Sequence, residues 1–282
     1  MVTAQVSSKT LSAVSALPSN SDNKKRWYQP TFSPEHGVLL VLLGAVLTGA
    51  ALAEAWTADT NLACLAALLA LQAEHPLIVQ IKRRRQWRPR YLFWAGLYGG
   101  LAIVLAVYLS LQHTILWWIW GAAVFSLGLD ILSVVRRNQK SVINEIAMFS
   151  AICLSTLFVF GATKGTITLQ AVGLWILNSL FFSGAVFSVK LRKVKTSSLW
   201  AGLIYHIGAI VLVISLYALG WLSLFTALVF AIASLKLAII TYWQNWYRTC
   251  KFEHIARFET YFALSYTALL ALTVLPPKLP PT

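Results

Sequence analysis

The chain has 282 residues, of which 58% are hydrophobic and only 11% charged, with a mean hydropathy of +0.69. A soluble domain carries about 25% charged residues, so there is too little polar surface here to coat a water-soluble globule. The net charge of +14 does not indicate a nucleic-acid partner, because the Lys and Arg fall in short clusters between apolar blocks, where membrane topology needs them.

Residues 1–33 are rich in Ser and Thr, carry one acid (Asp22) and include the basic run Lys24, Lys25, Arg26. With no apolar core of signal-peptide type, they predict a disordered cytoplasmic tail. Ser33-Pro34-Glu35 reads as a helix start: Ser caps, Pro suits the first helical position, and an early acid complements the dipole. The first span is expected over about 36–56, and a polar turn at 57–61 leads to a second span ending near Ile81. The strongest basic run follows, from Lys82 to Arg90.

Spans three (91–111) and four (115–135) are separated by Gln112-His113-Thr114, and Arg136, Arg137 and Lys140 close the pair. Span five (142–162) turns through Thr163–Thr166 into span six (168–189), which ends in Lys190, Arg192, Lys193 and Lys195. The stretch Trp200–Trp243 would make a single helix about 66 Å long, twice a hydrocarbon core of about 30 Å. It must fold back, and Leu219-Gly220 is the place. A polar segment, Gln244 to Arg257, precedes a last span over about 259–275, and Pro276, Pro277, Pro280 and Pro281 end any helix.

The fold class expected is all-α: a polytopic transmembrane helix bundle of about nine spans over residues 34–275, with a Pro-rich tail at 276–282. In the connections and tails, only Lys164 and Lys278 fall on the face opposite the basic clusters. The positive-inside rule then puts the amino terminus in the cytoplasm and the carboxyl terminus outside. Cys64, Cys153 and Cys250 are far apart and form no C-x-x-C pair, which argues for packing roles rather than a disulfide framework or zinc site.

Ionisable groups at membrane depth are functional candidates by default. Glu35 and His36 open span one, Glu74 and His75 precede Pro76 near the end of span two, and Asp130 is near the end of span four. Asn144 and Glu145 open span five, Lys190 and Arg192 close span six, and His206 lies inside span seven. All fall in the cytoplasmic half, and together they predict a polar pocket open to that face. Competing readings exist for some of them: Glu35, Glu145 and Glu259 sit at helix amino ends, and Lys190, Arg192 and Lys236 can snorkel to headgroups. Glu74, His75 and His206 are explained least by either.

Three Glu-His dipeptides, at 35–36, 74–75 and 253–254, suggest a metal site only superficially. Adjacent helical residues point about 100° apart, and the Glu-x-x-His spacing of di-metal bundles is absent. No metal is expected, no cofactor is indicated, and no H-E-x-x-H, G-x-S-x-G or P-loop assigns a catalytic residue.

Pro34-Glu35-His36-Gly37, Glu74-His75-Pro76-Leu77 before a basic loop, Asn144-Glu145 and Ser188-Val189-Lys190-Leu191-Arg192 together resemble the YwiC-like bacterial membrane proteins, over about residues 28–275. The resemblance implies residence in a bacterial plasma membrane or an internal membrane, and it brings no established activity. The layout is also similar to that of the UbiA-type intramembrane prenyltransferases, whose loops after spans two and six carry Asp-rich magnesium-diphosphate sites. The matching loops here, Lys82–Arg90 and Lys190–Lys195, contain no Asp, so their basic groups would meet an anionic headgroup directly. The function expected is a cytoplasm-facing intramembrane pocket handling an anionic lipid or an isoprenoid or quinone precursor. The alternatives are a non-catalytic membrane or assembly factor and a proton-coupled transporter.

Overall fold

The computed structural model describes residues 29–32, 36–83, 87–192 and 198–275. The cap expected at Ser33–Glu35, nearly all of the amino-terminal tail, and the Pro-rich tail at 276–282 lie outside them. The described residues form twelve helical segments: α1 (His36–Ala53), α2 (Ala58–Lys82), α3 (Pro89–Gln112), α4 (Leu116–Val135), α5 (Val142–Cys153), α6 (Ser155–Lys164), α7 (Leu169–Leu191), α8 (Leu199–Ala218), α9 (Leu224–Leu228), α10 (Ala231–Tyr242), α11 (Gln244–Thr249) and α12 (Phe252–Val274). Two pairs are near-continuous, α5 with α6 and α9 with α10, and each pair makes one apolar rod. Counting those rods, seven helices are long and apolar enough to cross a membrane: α2, α3, α4, α5–α6, α7, α8 and α9–α10. The apolar part of α1, Gly37–Ala53, is shorter. α12 is long but carries Glu253, His254, Arg257 and Glu259 in its first turns.

Local chemistry explains most of the helix ends. The Thr57 hydroxyl accepts from the Thr60 backbone N–H at 3.3 Å, and the Thr60 hydroxyl accepts in return from the Thr57 N–H at 3.0 Å, a reciprocal cap that starts α2. Ser141 and Thr168 cap α5 and α7 by accepting from Asn144 and Ala171, and Pro89 takes the first turn of α3. The fold-back expected at Leu219-Gly220 is present: Gly220 has φ +74°, and the Trp221 N–H reaches the Leu216 carbonyl at 2.9 Å, the six-to-one bond that closes a helix past a left-handed residue. The last helix starts at Phe252, earlier than the polar sequence suggests. Ile255 and Tyr247 are both fully buried with Leu191 and Ile240, so this stretch carries an apolar stripe of its own.

The bundle is organised around α1, α6 and α7. α1 packs against α5, α6, α7 and α12, and Ser155 to Ala162 of α6 are buried without interruption. The α1–α6 approach is backbone to backbone at Gly49, where an added Cβ would sit 2.5 Å from the Thr156 carbonyl oxygen.

Asn178 of α7 lies beside this contact. Its Nδ2 donates to the hydroxyls of Thr48 (2.9 Å) and Thr156 (3.1 Å), and its Oδ1 accepts from the Tyr266 hydroxyl at 3.1 Å. Thr48 and Thr156 pass their own protons to the Gly44 and Ala45 carbonyls at 2.8 and 3.0 Å. All four side chains are fully buried, and each amide group of Asn178 is matched, the condition under which a buried polar network stabilises rather than costs.

Asn178→Ala leaves the Tyr266 hydroxyl with no acceptor there and is expected to destabilise by about 2–3 kcal/mol, against about 1 kcal/mol for Tyr266→Phe. Thermal unfolding in a mild detergent checks the order; equal effects would mean that the node is not shared.

Candidate functional site

Between the α2–α3 pair and the α4–α5–α6 wall lies a cavity of about 560 Å³. Its space comes from small side chains: Ala67, Ala70 and Ala73 recur along one face of α2, and Ala95, Gly96 and Gly99 do so on α3. Trp120 and Phe158 bound it on the other side, set edge to face with ring centroids 5.2 Å apart and planes at 79°. Among the described lining residues, one side chain is ionisable: Glu74, half-buried on α2. Pro76 follows within the same helix and cannot donate to the Gln72 carbonyl one turn earlier. His75 is also half-buried and falls on a different face of α2, about 100° round the helix.

The other residues singled out from the sequence fall into three further places. At the ends of α4, α5 and α7, the Asn144 Nδ2 donates to Asp130 Oδ1 at 2.9 Å and to the Gln139 carbonyl at 3.1 Å. Glu145 pairs with Lys190 at 2.7 Å, and Lys190 also donates to the Lys140 carbonyl. These contacts fasten three helix ends together. Arg192 turns away to the α11–α12 connection, donating from Nη2 to the Cys250 carbonyl at 2.6 Å and lying over the Phe252 ring. His206, buried on α8, holds its Nδ1 2.8 Å from the Gly202 carbonyl. A carbonyl only accepts, so Nδ1 carries the proton and Nε2 is the basic atom; that Nε2 faces Gly184 of α7. Glu35 lies outside the described residues, and His36 is described only as the first residue of α1.

Lys236 does not snorkel. It is 3% exposed, with Nζ 3.0 Å from Glu259 Oε2 and 5.4 Å from the centroid of the Phe181 ring. The hydroxyl of Tyr247 donates to Glu259 Oε1 at 3.0 Å, so α10, α11 and α12 share one buried polar knot. Burial pushes the Tyr247 phenol up, and the neighbouring Glu259 carboxylate pushes it further, so it stays a donor at neutral pH. The depth of Lys236, in mid-run between apolar residues on both sides, was the sequence signal for this pair. Nothing in the sequence pointed to Asn178, and Tyr247, which with Trp243 and Trp246 reads as an interface aromatic, is instead fully buried against Glu259.

A buried ion pair resists the loss of one partner more than the loss of both. Lys236→Met or Glu259→Leu alone is expected to cost about 3–5 kcal/mol, and the Lys236→Met/Glu259→Leu double variant clearly less than the sum. Unfolding midpoints of the four proteins measure this; additive losses would show that the two groups do not depend on each other.

In comparisons with known proteins, residues 32–160 match the family model described as YwiC-like protein. That stretch contains the Glu35-His36, Glu74-His75 and Asn144-Glu145 landmarks, while the Ser188–Arg192 landmark lies beyond it. No curated protein and no solved structure matches the chain.

Proposed function

We propose that this YwiC-like chain is a lipid-handling membrane protein, holding the apolar chain of an isoprenoid, a quinone precursor or an anionic lipid in the cavity between α2, α3, α4 and α5. The observation that carries the reading is the cavity itself: about 560 Å³, within the 300–1,000 Å³ typical of small-molecule sites, walled by Ala and Gly and touched by a single acid. Water has few partners in such a space, whereas a hydrocarbon or isoprenoid chain gains contact along its whole length.

The headgroup end is placed by charge. Lys82 and Arg83 are exposed where α2 ends, two turns beyond Glu74, and they offer an anionic group direct contact without metal. Glu74 lies between the apolar wall and this basic end, at the position from which a carboxylate meets a hydroxyl or the proton of a headgroup.

The orientation follows the same charge bias. α1 and α12 join the seven long apolar helices as spans, the amino terminus is cytoplasmic, and the Lys82–Arg83 end of α2 lies on the cytoplasmic side. Reporter fusions are expected to signal inside after Lys82 and outside after Lys164; an outside signal after Lys82 would reverse the whole arrangement.

Gly96 offers a direct test of the cavity. A Cβ there meets nothing within 4 Å, so the side chain of Gly96→Leu starts in open space at the cavity wall, and Leu favours the helix over Gly by up to about 1 kcal/mol. The full-length protein in nanodiscs is expected to bind farnesyl phosphate, with farnesol as the uncharged arm, and Gly96→Leu to weaken both by on the order of tenfold or more while the unfolding midpoint holds. Undiminished binding in a folded Gly96→Leu protein would remove the cavity as the site.

A further inference from the structure

The cavity is closed on its inner walls and open on one flank. Leu71, Ala102, Ile119 and Phe158 are all buried. Leu92 and Ile103 of α3 and Val124 of α4 line the same space, yet they are 39%, 62% and 63% exposed. A side chain that bounds a cavity and is also largely exposed on the outside of the bundle stands at the cavity's opening. Leu92, Gly96 and Ile103 follow one face of α3, so the opening runs along about 16 Å of that helix. α3 and α4 are both among the long apolar helices, and at their depth the surroundings are hydrocarbon rather than water.

We infer that the cavity is loaded sideways from the bilayer, through a slot between α3 and α4 bordered by Leu92, Ile103 and Val124, so that its ligand is an amphiphile already dissolved in the membrane. The inference rests on the lipid-handling function proposed above and adds the route. A ligand taking this path keeps its apolar chain in hydrocarbon throughout and never exposes it to water, so no desolvation step separates the membrane-dissolved state from the bound one. The headgroup meanwhile stays at the level of Lys82 and Arg83. A water-soluble ligand has no reason to use an opening in this position, because it would have to cross lipid to reach it.

The test is kinetic. Farnesyl phosphate is supplied in the bilayer of nanodiscs carrying the full-length protein, and its association and dissociation are followed. With Ile103→Trp and Val124→Trp combined, the indoles fill the slot, and both association and dissociation are expected to slow by on the order of tenfold. Leu101→Trp, exposed on α3 and not part of the lining, is expected to leave the rates alone.

Two added indoles could disturb folding, so a second block acts on protein that is already folded. Ile103→Cys is modified with a bulky, reducible thiol reagent, and reduction must restore the rates; the parent chain treated in the same way accounts for Cys64 and Cys250. Rates unchanged by both blocks overturn the slot while leaving the cavity as a binding site. A parent protein that takes up no farnesyl phosphate overturns both the slot and the function on which it rests.

Discussion

Inside a bilayer no water is present to satisfy a stray polar group, and the Asn178 side chain meets that constraint at the point where α1, α6, α7 and α12 converge. Its two amide protons and its carbonyl are matched by three hydroxyls on three other helices, and the threonines pass their own protons to α1 carbonyls. Lipid offers no hydrophobic gain for pressing one apolar helix on another, so close backbone approach and matched hydrogen bonds must set the register instead. Gly49 supplies the approach and Asn178 the register. Tyr266 adds a second tie by stacking on Phe181 with planes 3° apart, and Phe181 in turn lies under the ammonium of Lys236. The central node and the polar knot of α10, α11 and α12 are thus in contact through one aromatic ring.

Against this dense centre, the flank built from α2, α3 and α4 is loose. α3 rests mainly on α2, through alanines and glycines that let the two helices lie close, and it presents Ile103, Val104, Tyr108 and Leu111 to the surroundings. Gly99 of α3 lies against Ala73 of α2, and both also border the space opposite Trp120 and Phe158. One side of the cavity is a wall of buried side chains, and the other is bordered by exposed apolar ones.

The polar residues singled out from the sequence divide among three settings. Asp130, Asn144, Glu145 and Lys190 bind helix ends to one another, and Arg192 ties α7 to the α11–α12 connection. Such contacts hold the loops of a bundle in place where the lipid gives way to headgroups. Glu74 differs, because it is set on the wall of a void. His206 and Lys236 differ again, since both are enclosed by protein, and Lys236 meets the half-buried Glu259 there. Residues that look alike as intramembrane charges in a sequence are thus distinguished by what stands opposite them.

Apolar run length and the charged connections were enough to place nearly every helix, because each is a local property of a few neighbouring residues and of the thickness of a bilayer. The turn at Gly220 was legible for the same reason: only a fold-back fits so long an apolar stretch. The meeting of Asn178 with Thr48, Thr156 and Tyr266, the partner of Lys236, and the cavity beside Glu74 were decided by tertiary structure alone. Each depends on the rotation of a helix about its own axis, where one residue's change of position swings a side chain through about 100°, and on contacts between segments as much as 130 residues apart. Hydrophobicity and charge say that a helix is in the membrane and which way it runs, but they do not say which of its faces looks at which neighbour.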